Sequence, residues 1–423
     1  MQSKLQLRPQ QRKSVQRTEP FFKRVHEFSC GSVVENAPYN NLTEMTRRIF
    51  TEYEIFTLVQ NCTQLHDSFY FPDLPNSEAE RDFPLAFAVT TNGATDHLLR
   101  LLHSIYAAQN LYCIHVDWKA PKIVHDIVHS LSNCLPNVIG ARKTESVVWD
   151  GYTMIKSVLN CLEELNSYQE GAHSWRYAVT LQGRDFPLRT NQELVQILSL
   201  FHGANDVELL PNIQSRISQQ FLPVTNSEGL PVGVRPEPAS PKAPPPGNLT
   251  LYKGSVSATL SREFVNFVLT APISLKLQEW LQTTAHADES LWSTLVHNEA
   301  LRAPGSYPGR CLRKGQRSKD WISRYANWGA QPCHGKRRNA VCLFTSNDLP
   351  NLLNKRELFL NKFWIQHDPI ALDCMHEIIF NRTYNIRSYA TEHYQFDITN
   401  YSNLSAVRHA RWKMENSHIP FDC

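Results

Sequence analysis

The alternation of apolar and polar positions across residues 84–119 predicts a complete strand, helix, strand unit. Residues 85–89 form a short apolar run between a proline and a polar turn, a pattern typical of a buried parallel strand. Apolar residues then recur at helical spacing up to Tyr106, with Thr95 as the predicted N-cap. A second strand, Leu111–Val116, follows directly.

Asp117 comes immediately after the second predicted strand. Ligands of open α/β sheets bind beyond the carboxyl ends of the strands, so this carboxylate is a candidate ligand-binding group. The alternative is that Asp117 caps the turn that follows the strand. The strand, helix, strand unit alone leaves both interpretations open.

The rest of the chain continues this alternation of strands and helices. Residues 152–166 predict a periodic helix and residues 175–181 a strand, and the capping box of Thr190 and Glu193 predicts a helix over 191–202. Such alternation indicates an α/β fold with a mostly parallel sheet covered by helices on both faces. Further predictions are a strand over 251–260 and helices over 262–269, 288–296 and 350–360, with another beginning at Asp368 and Pro369.

Composition divides the chain into four segments. We predict a basic stem or tail over 1–26, an N-terminal covering segment over 27–82, the α/β domain over 83–380 and a C-terminal tail over 381–423. A Pro-rich stretch over 223–250 predicts an exposed insertion loop within the α/β domain.

Charge and cysteine content limit the possible environments. A net charge of +3, from 43 basic and 40 acidic residues, gives no general nucleic-acid-binding surface. Ten cysteines, joined to six Asn-x-Ser/Thr sequons, favour an oxidising secretory lumen. No apolar run is long enough to cross a bilayer, and we expect membrane association through an anchor segment that this sequence does not contain.

Glu289 is the strongest candidate for proton transfer. In the stretch 285–292, Asp288 is predicted to cap a helix and to leave Glu289 in its first turn. Free backbone N–H groups there favour an ionised carboxylate, the form that a general base needs. The alternative is that both acids only stabilise the start of the helix.

A second candidate group is cationic. Residues 336–338 are Lys-Arg-Arg between Cys333 and Cys342, and Lys362 follows in the next element. Guanidinium and ammonium groups suit a diphosphate and could neutralise a leaving nucleotide without a metal ion. Solvated loop charges are the alternative.

Common metal and phosphate motifs are absent from the sequence, which contains no GxGxxG, GxxxxGK[ST], HExxH, GxSxG or Asp-x-Asp. Asp206 with Glu208 is the nearest approach to a metal-binding acidic pair, and Cys333 with His334 to a zinc pair. Neither pair has convincing partner ligands, so no metal site is predicted.

Several short motifs, in one order along residues 80–380, closely resemble those of the core 2 type β-1,6-N-acetylglucosaminyltransferases. The motifs are residues 112–117, residues 145–148, Asp185-Phe186-Pro187, Thr190-Asn191, Gly254-Ser255, Ser261-Arg262-Glu263, Asp288-Glu289-x-Leu291-Trp292, Val341-Cys342 and Asn361-Lys362-Phe363. The resemblance implies a GT-A-like fold, a Golgi type II membrane enzyme and a UDP-sugar donor used without a divalent metal or other cofactor.

The resemblance also implies roles for individual residues. Glu289 falls on the general base that takes the proton of an acceptor C6 hydroxyl. The other implied positions are Val89 and Asp117 for the nucleoside, Lys362 for the diphosphate, and Glu208, Arg216 and Trp328 for the acceptor sugar. Arg216 stands where a lysine is expected.

The resemblance implies four disulfides as well. They are Cys30–Cys374, Cys62–Cys134, Cys113–Cys161 and Cys333–Cys342. Cys311 and Cys423 remain; either they pair with each other or one of them stays free.

Two departures from the family pattern affect the site. The family's diphosphate-binding arginine is replaced by Asn339, and Arg338, one position earlier, is the candidate replacement. An aromatic residue expected shortly after Trp328 is replaced by Gly329-Ala330, which affects the acceptor side.

Three functional hypotheses follow. The first is an inverting, metal-independent transferase that forms a β-1,6 linkage from UDP-N-acetylglucosamine to the Gal-GalNAc core of mucin-type O-glycans, in the Golgi lumen. The second keeps the fold but has UDP-glucose or UDP-xylose as donor. The third is a catalytically silent glycan-binding scaffold. Oligomeric state is left open.

Overall fold

A computed structural model of the protein describes residues 30–35, 49–168, 174–211, 218–312, 320–329, 331–388, 391–392, 394–415 and 421–423. The helices are α1 (Cys30–Glu35), α2 (Glu52–Val59), α3 (Cys62–Ser68), α4 (Glu78–Asp82), α5 (Thr95–Ile105), α6 (Lys122–Cys134), α7 (Tyr152–Ser167), α8 (Asn191–Ser199), α9 (Arg262–Thr270), α10 (Pro272–Leu281), α11 (Leu291–His297), α12 (Leu349–Leu353), α13 (Pro369–Tyr384), α14 (Thr399–Ser402) and α15 (Ser405–Glu415). The strands are β1 (Leu85–Thr91), β2 (Leu111–Val116), β3 (Val138–Gly140), β4 (Tyr177–Gln182), β5 (Asp185–Pro187), β6 (Gln219–Thr225), β7 (Pro231–Pro241), β8 (Thr259–Ser261), β9 (Arg324–Ala326), β10 (Arg337–Arg338), β11 (Val341–Cys342) and β12 (Phe359–Asn361).

The central sheet has the strand order β3-β2-β1-β4-β8. The pairs among β1 to β4 are parallel, and β8 pairs antiparallel with β4. Successive side chains of β1 alternate between two cores: Phe87 and Val89 pack on one side, and Ala86 and Ala88 on the other. The first core includes residues of α5 and α6 and the second residues of α7 and α9, so helices cover both faces and the predicted α/β, GT-A-like fold class is confirmed.

The first strand, helix, strand unit forms as predicted, with one correction. β1 is two residues longer than expected, and β2 has the predicted bounds. Thr95 is the first residue of α5 instead of its N-cap, because Ala94 takes that position with φ of 55° and makes no side-chain cap. Because the left-handed residue Ala94 is the N-cap, α5 begins one residue earlier than it would with Thr95 as its N-cap.

A smaller sheet lies beside the central one. It has the order β5-β12-β9, with β12 antiparallel to β5 and parallel to β9. The short hairpin β10-β11 lies within the loop closed by the Cys333–Cys342 disulfide. The helix predicted over 350–360 forms only as the short α12. Residues 359–361 instead form β12, which pairs with a strand on each side.

The Pro-rich stretch is not an irregular loop. Its first part forms the antiparallel hairpin β6-β7, closed by a turn in which the Asn226 side chain accepts hydrogen bonds from two backbone amides and Gly229 has φ of +77°. Each strand of a two-stranded hairpin has a free edge, and prolines are tolerated where the missing N–H faces that edge. No residue of the hairpin whose burial is described is buried, and several are exposed, which agrees with the surface position predicted for this insertion.

Two further sequence predictions need correction. The strand expected over 251–260 forms only at Thr259–Ser261, since the preceding residues run beside the cleft in an extended path with isolated bridges. The helix expected over 191–202 ends at Ser199. Its predicted capping box, Thr190 with Glu193, is confirmed.

Five disulfides connect the layers. Four are the pairs implied by the resemblance, and the fifth joins Cys311 to Cys423, which resolves the alternative left open for these two cysteines. Cys113–Cys161 ties β2 to α7, the helix packed on it. Residues predicted as a C-terminal tail pack against the body, with Val407 fully buried and Cys423 bonded.

The N-terminal segment packs onto the first core through α1 to α3, as its predicted covering role requires. The boundaries of the four predicted segments stay predictions, and the stem over 1–26 lies outside the described residues. Among the helices described by the structure, none is both long and apolar enough to cross a membrane.

Candidate active site

A cleft with two adjoining compartments lies at the carboxyl end of the central strands. The smaller one, about 390 Å³, is lined by residues at the ends of β1, β2 and β4. The larger one, about 590 Å³, lies toward α11 and the loops around β9 and β11. Trp149, Gln182, Asn339, Asn361 and Lys362 line both compartments, so the two form one continuous cleft. This is the sheet edge at which a ligand-binding site was expected.

Asp117 lies in the smaller compartment, as predicted for the end of β2. Its carboxylate accepts a hydrogen bond of 2.9 Å from the backbone N–H of Lys119 and forms an ion pair of 3.1 Å with that residue's ammonium group. The Lys119 ammonium also donates to the carbonyl of Val147 at 2.8 Å. Asp117 therefore caps the turn and also faces the cleft, and its role in binding a ligand stays a prediction.

Positive charge dominates the junction of the two compartments. Burial lowers the pKa of Lys362, and the nearby charges of Arg338, Arg184 and Arg324 lower it further, while Asp185 acts in the opposite sense. Three arginines and one carboxylate thus lie within interaction range of Lys362. An excess of positive charge in a partly buried cleft favours a polyanionic ligand.

The buried carboxylate of Asp185 links the ends of β4 and β12, next to which Arg184 and Lys362 lie. It accepts hydrogen bonds from the backbone N–H of Gln182 at 2.8 Å and from the side chain of Asn361 at 2.7 Å. In the antiparallel register of β5 and β12, Asp185 lies opposite Asn361. Because Arg184 precedes Asp185 and Lys362 follows Asn361, the same pairing brings these two cations to one end of the small sheet.

Glu289 lies in the larger compartment, but its local structure differs from the prediction. Residues Ala287–Glu289 form a 3₁₀ turn, and the following helix α11 begins only at Leu291, with Ser290 as its N-cap. Asp288 is therefore not a helix N-cap, and Glu289 is not in the first turn of α11. The chain enters the turn through His286, whose φ of 51° is left-handed and breaks the helix that the sequence pattern predicted.

Lys253 supplies the electrostatic support that the helix start was expected to give. Its ammonium nitrogen lies 3.3 Å from a carboxylate oxygen of Glu289. Glu208 lies in the same compartment, and burial raises the pKa of its carboxyl, with the charges of Lys253 and Arg324 opposing and that of Glu289 adding to the rise. Two carboxyl groups and one ammonium group therefore interact at one point of the cleft.

A close backbone approach fixes these residues relative to each other. The N–H of Gly254 donates to the carbonyl of Glu289 at 2.6 Å. A Cβ at position 254 would lie 2.0 Å from the hydroxyl of Ser293 and 2.4 Å from the carbonyl oxygen of Glu208. Only glycine fits, because the segments that carry Glu208, Lys253 and Glu289 meet there.

Two exposed tryptophans stand at the cleft. Trp149 is 64% exposed and lies at the junction of the compartments. Its ring packs edge to face with that of His286, with 5.2 Å between the ring centroids. Trp328 is 61% exposed and lines the larger compartment. Exposed aromatic faces of this kind can stack on the apolar face of a ligand.

The two metal-like pairs of the sequence are used structurally. One carboxylate oxygen of Asp206 accepts three hydrogen bonds, from the backbone N–H groups of Ile322 and Ser323 and from the Ser323 hydroxyl. Cys333 is in a disulfide, and His334 pairs with Asp348 at 2.7 Å. Within the described ranges, no group of three or more His, Cys, Asp and Glu side chains could hold a metal ion.

The structure brings most of the predicted site residues together. Asp117 and Arg338 line the smaller compartment, Glu208, Glu289 and Trp328 the larger one, and Lys362 both. Val89 is buried in the core of β1, directly before Thr90, which lines the smaller compartment. Arg216 lies outside the described residues.

Sequence reasoning missed several residues of the cleft, and four charged or aromatic ones among them are important for the site. Three of these four lie next to a motif that it had singled out. The four are Trp149, Arg184, Lys253 and Arg324. Trp149 follows residues 145–148, Arg184 precedes Asp185, and Lys253 precedes Gly254. Arg324 is adjacent to no such motif, and only the pairing of β9 with β12 brings it to the cleft.

Comparison with known proteins identifies the class to which this fold and cleft belong. Residues 85–353 match the model of the Core-2/I-Branching enzyme family. The chain belongs to this family of glycosyltransferases, and the match covers β1 through α12, whereas β12 and Lys362 lie beyond its end.

Individual relatives are similar over most of their length. An N-acetyllactosaminide β-1,6-N-acetylglucosaminyltransferase from Mus musculus is 35% identical over 340 residues, 77% of this chain and 80% of the relative. A β-1,3-galactosyl-O-glycosyl-glycoprotein β-1,6-N-acetylglucosaminyltransferase 3 from Homo sapiens is 32% identical over 361 residues, 82% of this chain and 80% of the relative. A similarly named enzyme of Bovine herpesvirus 4 is 31% identical over 361 residues.

Proposed function

We propose that the protein transfers N-acetylglucosamine from UDP-N-acetylglucosamine, with inversion, to a C6 hydroxyl of the Gal-GalNAc core of mucin-type O-glycans. The observation that carries this proposal is that Glu289 and Lys362 line one cavity in a chain of the Core-2/I-Branching enzyme family. A base for the acceptor and a cation for the leaving group are thereby available in the same space. The names of the relatives support the β-1,6 linkage and the donor.

The chemical step divides between the two compartments. Glu289 takes the proton of the acceptor C6 hydroxyl, whose oxygen forms the new bond to the anomeric carbon of the donor. The bond from that carbon to the β-phosphate oxygen breaks, and its electron pair leaves with UDP. A sugar hydroxyl is a weak nucleophile and requires the base, and the developing charge on UDP requires fixed positive groups.

The smaller compartment suits the UDP group. We assign Asp117 and the backbone near Val89 to the nucleoside, and Arg338 and Lys362 to the diphosphate, because Asp117, Arg338 and Lys362 line this compartment. We propose that these cations perform the charge neutralisation for which other transferases use a divalent metal, so that no metal cofactor takes part. The excess of positive charge around Lys362 supports this role.

The larger compartment suits the acceptor sugar, with Glu208 as a hydrogen-bond acceptor and Trp328 as a stacking surface. Arg216 is assigned to the same sugar by resemblance alone. A second acceptor class is favoured by the relative of 35% identity, which is named for N-acetyllactosaminide. Comparing the two acceptors under equal conditions separates these candidates.

We place this activity in the Golgi lumen, with the catalytic unit tethered as in type II membrane enzymes. Five disulfides support an oxidising compartment. Sequon residues Asn61, Asn248, Asn400 and Asn403 are exposed and available for glycosylation, whereas Asn381 is buried.

The function is tested by incubating the disulfide-bonded protein with a panel of UDP-sugars and a core 1 acceptor, with and without EDTA. We expect transfer from UDP-N-acetylglucosamine to persist in EDTA and to give a β-1,6 linkage on product analysis. Preferential transfer from UDP-glucose or UDP-xylose would overturn the donor assignment. Glycan binding without UDP release from any donor would instead identify a scaffold.

The raised pKa of Glu208 predicts the pH dependence of this reaction. A raised pKa means that the Glu208 carboxyl takes up a proton at a pH above its ordinary pKa of 4.5. As the pH is lowered, kcat/KM should therefore begin to fall while the pH is still above 4.5. In Glu208→Gln this fall should move to lower pH, because the carboxyl with the raised pKa is no longer present. Profiles of kcat/KM against pH measure the fall in the unmodified protein and its displacement in the variant. Glu279→Gln, at an exposed position of α10, is the control. If the fall in kcat/KM occurs at the same pH in Glu208→Gln, Glu208 is not the group whose protonation lowers the activity.

A further inference from the structure

Two arginines share one tryptophan ring in the smaller compartment. The guanidinium carbon of Arg184 and that of Arg338 each lie 3.9 Å from the ring centroid of Trp364. All three residues line the compartment, together with Lys362. We call Arg184, Trp364 and Arg338 the two-arginine cluster. Nothing in the sequence pattern relates Arg184 to the other two, which lie more than a hundred positions away.

The two-arginine cluster concentrates like charges. Burial lowers the pKa of Arg184 to about 10, and the charge of Arg338 contributes to the lowering. The Nη1 atom of Arg184 is buried and makes no hydrogen bond to any described residue. The ion pairs formed by the described residues of the cleft join Lys119 to Asp117, Lys253 to Glu289 and Arg324 to Asp185, and none of them includes Arg184 or Arg338. Two adjacent guanidinium groups without a counter-ion are unfavourable by themselves, so the arrangement indicates a bound anion.

The backbone around Arg184 is built to hold it there. Gly183 donates to the carbonyl of Thr90 at 2.7 Å, and a Cβ at position 183 would lie 2.7 Å from the hydroxyl of Thr91. Only glycine allows the end of β4 to approach β1 this closely. On its other side, Asp185 is fixed to β12 through Asn361. The position of Arg184 is therefore set from both sides by rigid elements.

We propose that Arg184 is a donor-binding residue that acts with Arg338 as a paired clamp on the diphosphate of the UDP-sugar. The tryptophan positions the two guanidinium groups, which present several N–H donors in a fixed plane and suit phosphate oxygens better than a point charge does. Lys362 adds the third positive charge from the adjoining strand. This inference rests on the proposed function, because it assumes a nucleoside diphosphate in the smaller compartment.

The test is a binding comparison on the full, disulfide-bonded chain with UDP and uridine as probes. Arg184→Met and Arg338→Met should each weaken UDP binding about 10- to 100-fold, as expected for a lost charge-assisted contact, and leave uridine binding unchanged. Because both arginines bind one anion and share one ring, the double variant should deviate from additivity. Arg184→Lys should restore part of the affinity, and Trp364→Phe should retain more of it than Trp364→Leu.

The matched control is Arg262→Met, which removes a guanidinium group 5.4 Å from the ring of Trp175, outside the cleft. It should leave both affinities unchanged. If the unmodified protein binds UDP and Arg184→Met binds it equally well, the clamp is wrong and the proposed function stands. If the unmodified protein binds no UDP, the proposed UDP-sugar donor is wrong, and the clamp, which depends on it, is wrong with it. Equal loss of UDP and uridine binding in Arg184→Met would assign Arg184 a structural role and overturn the inference.

Discussion

Replacing Glu289 by glutamine is expected to lower kcat about 10²- to 10⁴-fold, the usual contribution of a positioned general base. Glutamine keeps the shape of the side chain but cannot take the proton of the acceptor hydroxyl. The Lys253 ammonium lies 3.3 Å from the Glu289 carboxylate and is the ion-pair partner of the proposed base. Initial rates with saturating UDP-N-acetylglucosamine and a core 1 acceptor measure the effect.

Binding of UDP should be unaffected in Glu289→Gln, since this carboxylate lines the larger compartment and the proposed diphosphate site is in the smaller one. Glu279→Gln makes the same chemical change on the exposed face of α10 and should leave kcat unchanged. A kcat for Glu289→Gln within tenfold of the unmodified protein would remove Glu289 as the base.

Replacing Lys362 by methionine is expected to lower kcat/KM about 10²- to 10³-fold, or about 2.7–4 kcal/mol of transition-state stabilisation. Methionine keeps the apolar part of the side chain and removes the charge that faces the leaving diphosphate. The loss should exceed the loss in UDP affinity, because negative charge on the β-phosphate oxygen grows as the bond to the sugar breaks. Titration with UDP and steady-state kinetics separate the two effects.

Lys276→Met is the matched control, because Lys276 is an exposed cation of α10 outside both compartments. Unchanged UDP affinity and unchanged kcat/KM in Lys362→Met would show that the diphosphate does not lie at this strand end. The charges of Arg184, Arg324 and Arg338 would then need another ligand.

The family's diphosphate arginine is absent at position 339, and the structure shows how the cleft is nevertheless strongly cationic. Asn339 lines both compartments, and Arg338 extends from the neighbouring position to the ring of Trp364. Arg184 reaches the same ring from the end of β4. The positive charge thus comes from two elements that are distant in sequence.

Local pattern predicted the elements of the central sheet well. The periodicity of β1, α5, β2 and α7 is strong because each of these elements is buried on one or both faces, so the apolar positions follow the geometry closely. Prediction failed where tertiary contacts decide the backbone. The Pro-rich hairpin, the short strand β12 and the 3₁₀ turn at Glu289 all depend on partners far along the chain or on left-handed residues.

The sequence by itself determined the fold class, the family and the identity of the carboxylate and the lysine that line the cleft, because these follow from local periodicity and from motifs that keep their order. Only the tertiary structure decided which charges meet. Lys253 reaches Glu289, and Arg184 reaches Arg338, through strand ends and close backbone contacts at Gly254 and Gly183. Distances between residues far apart in the chain are set by packing and strand register, and no local pattern contains them.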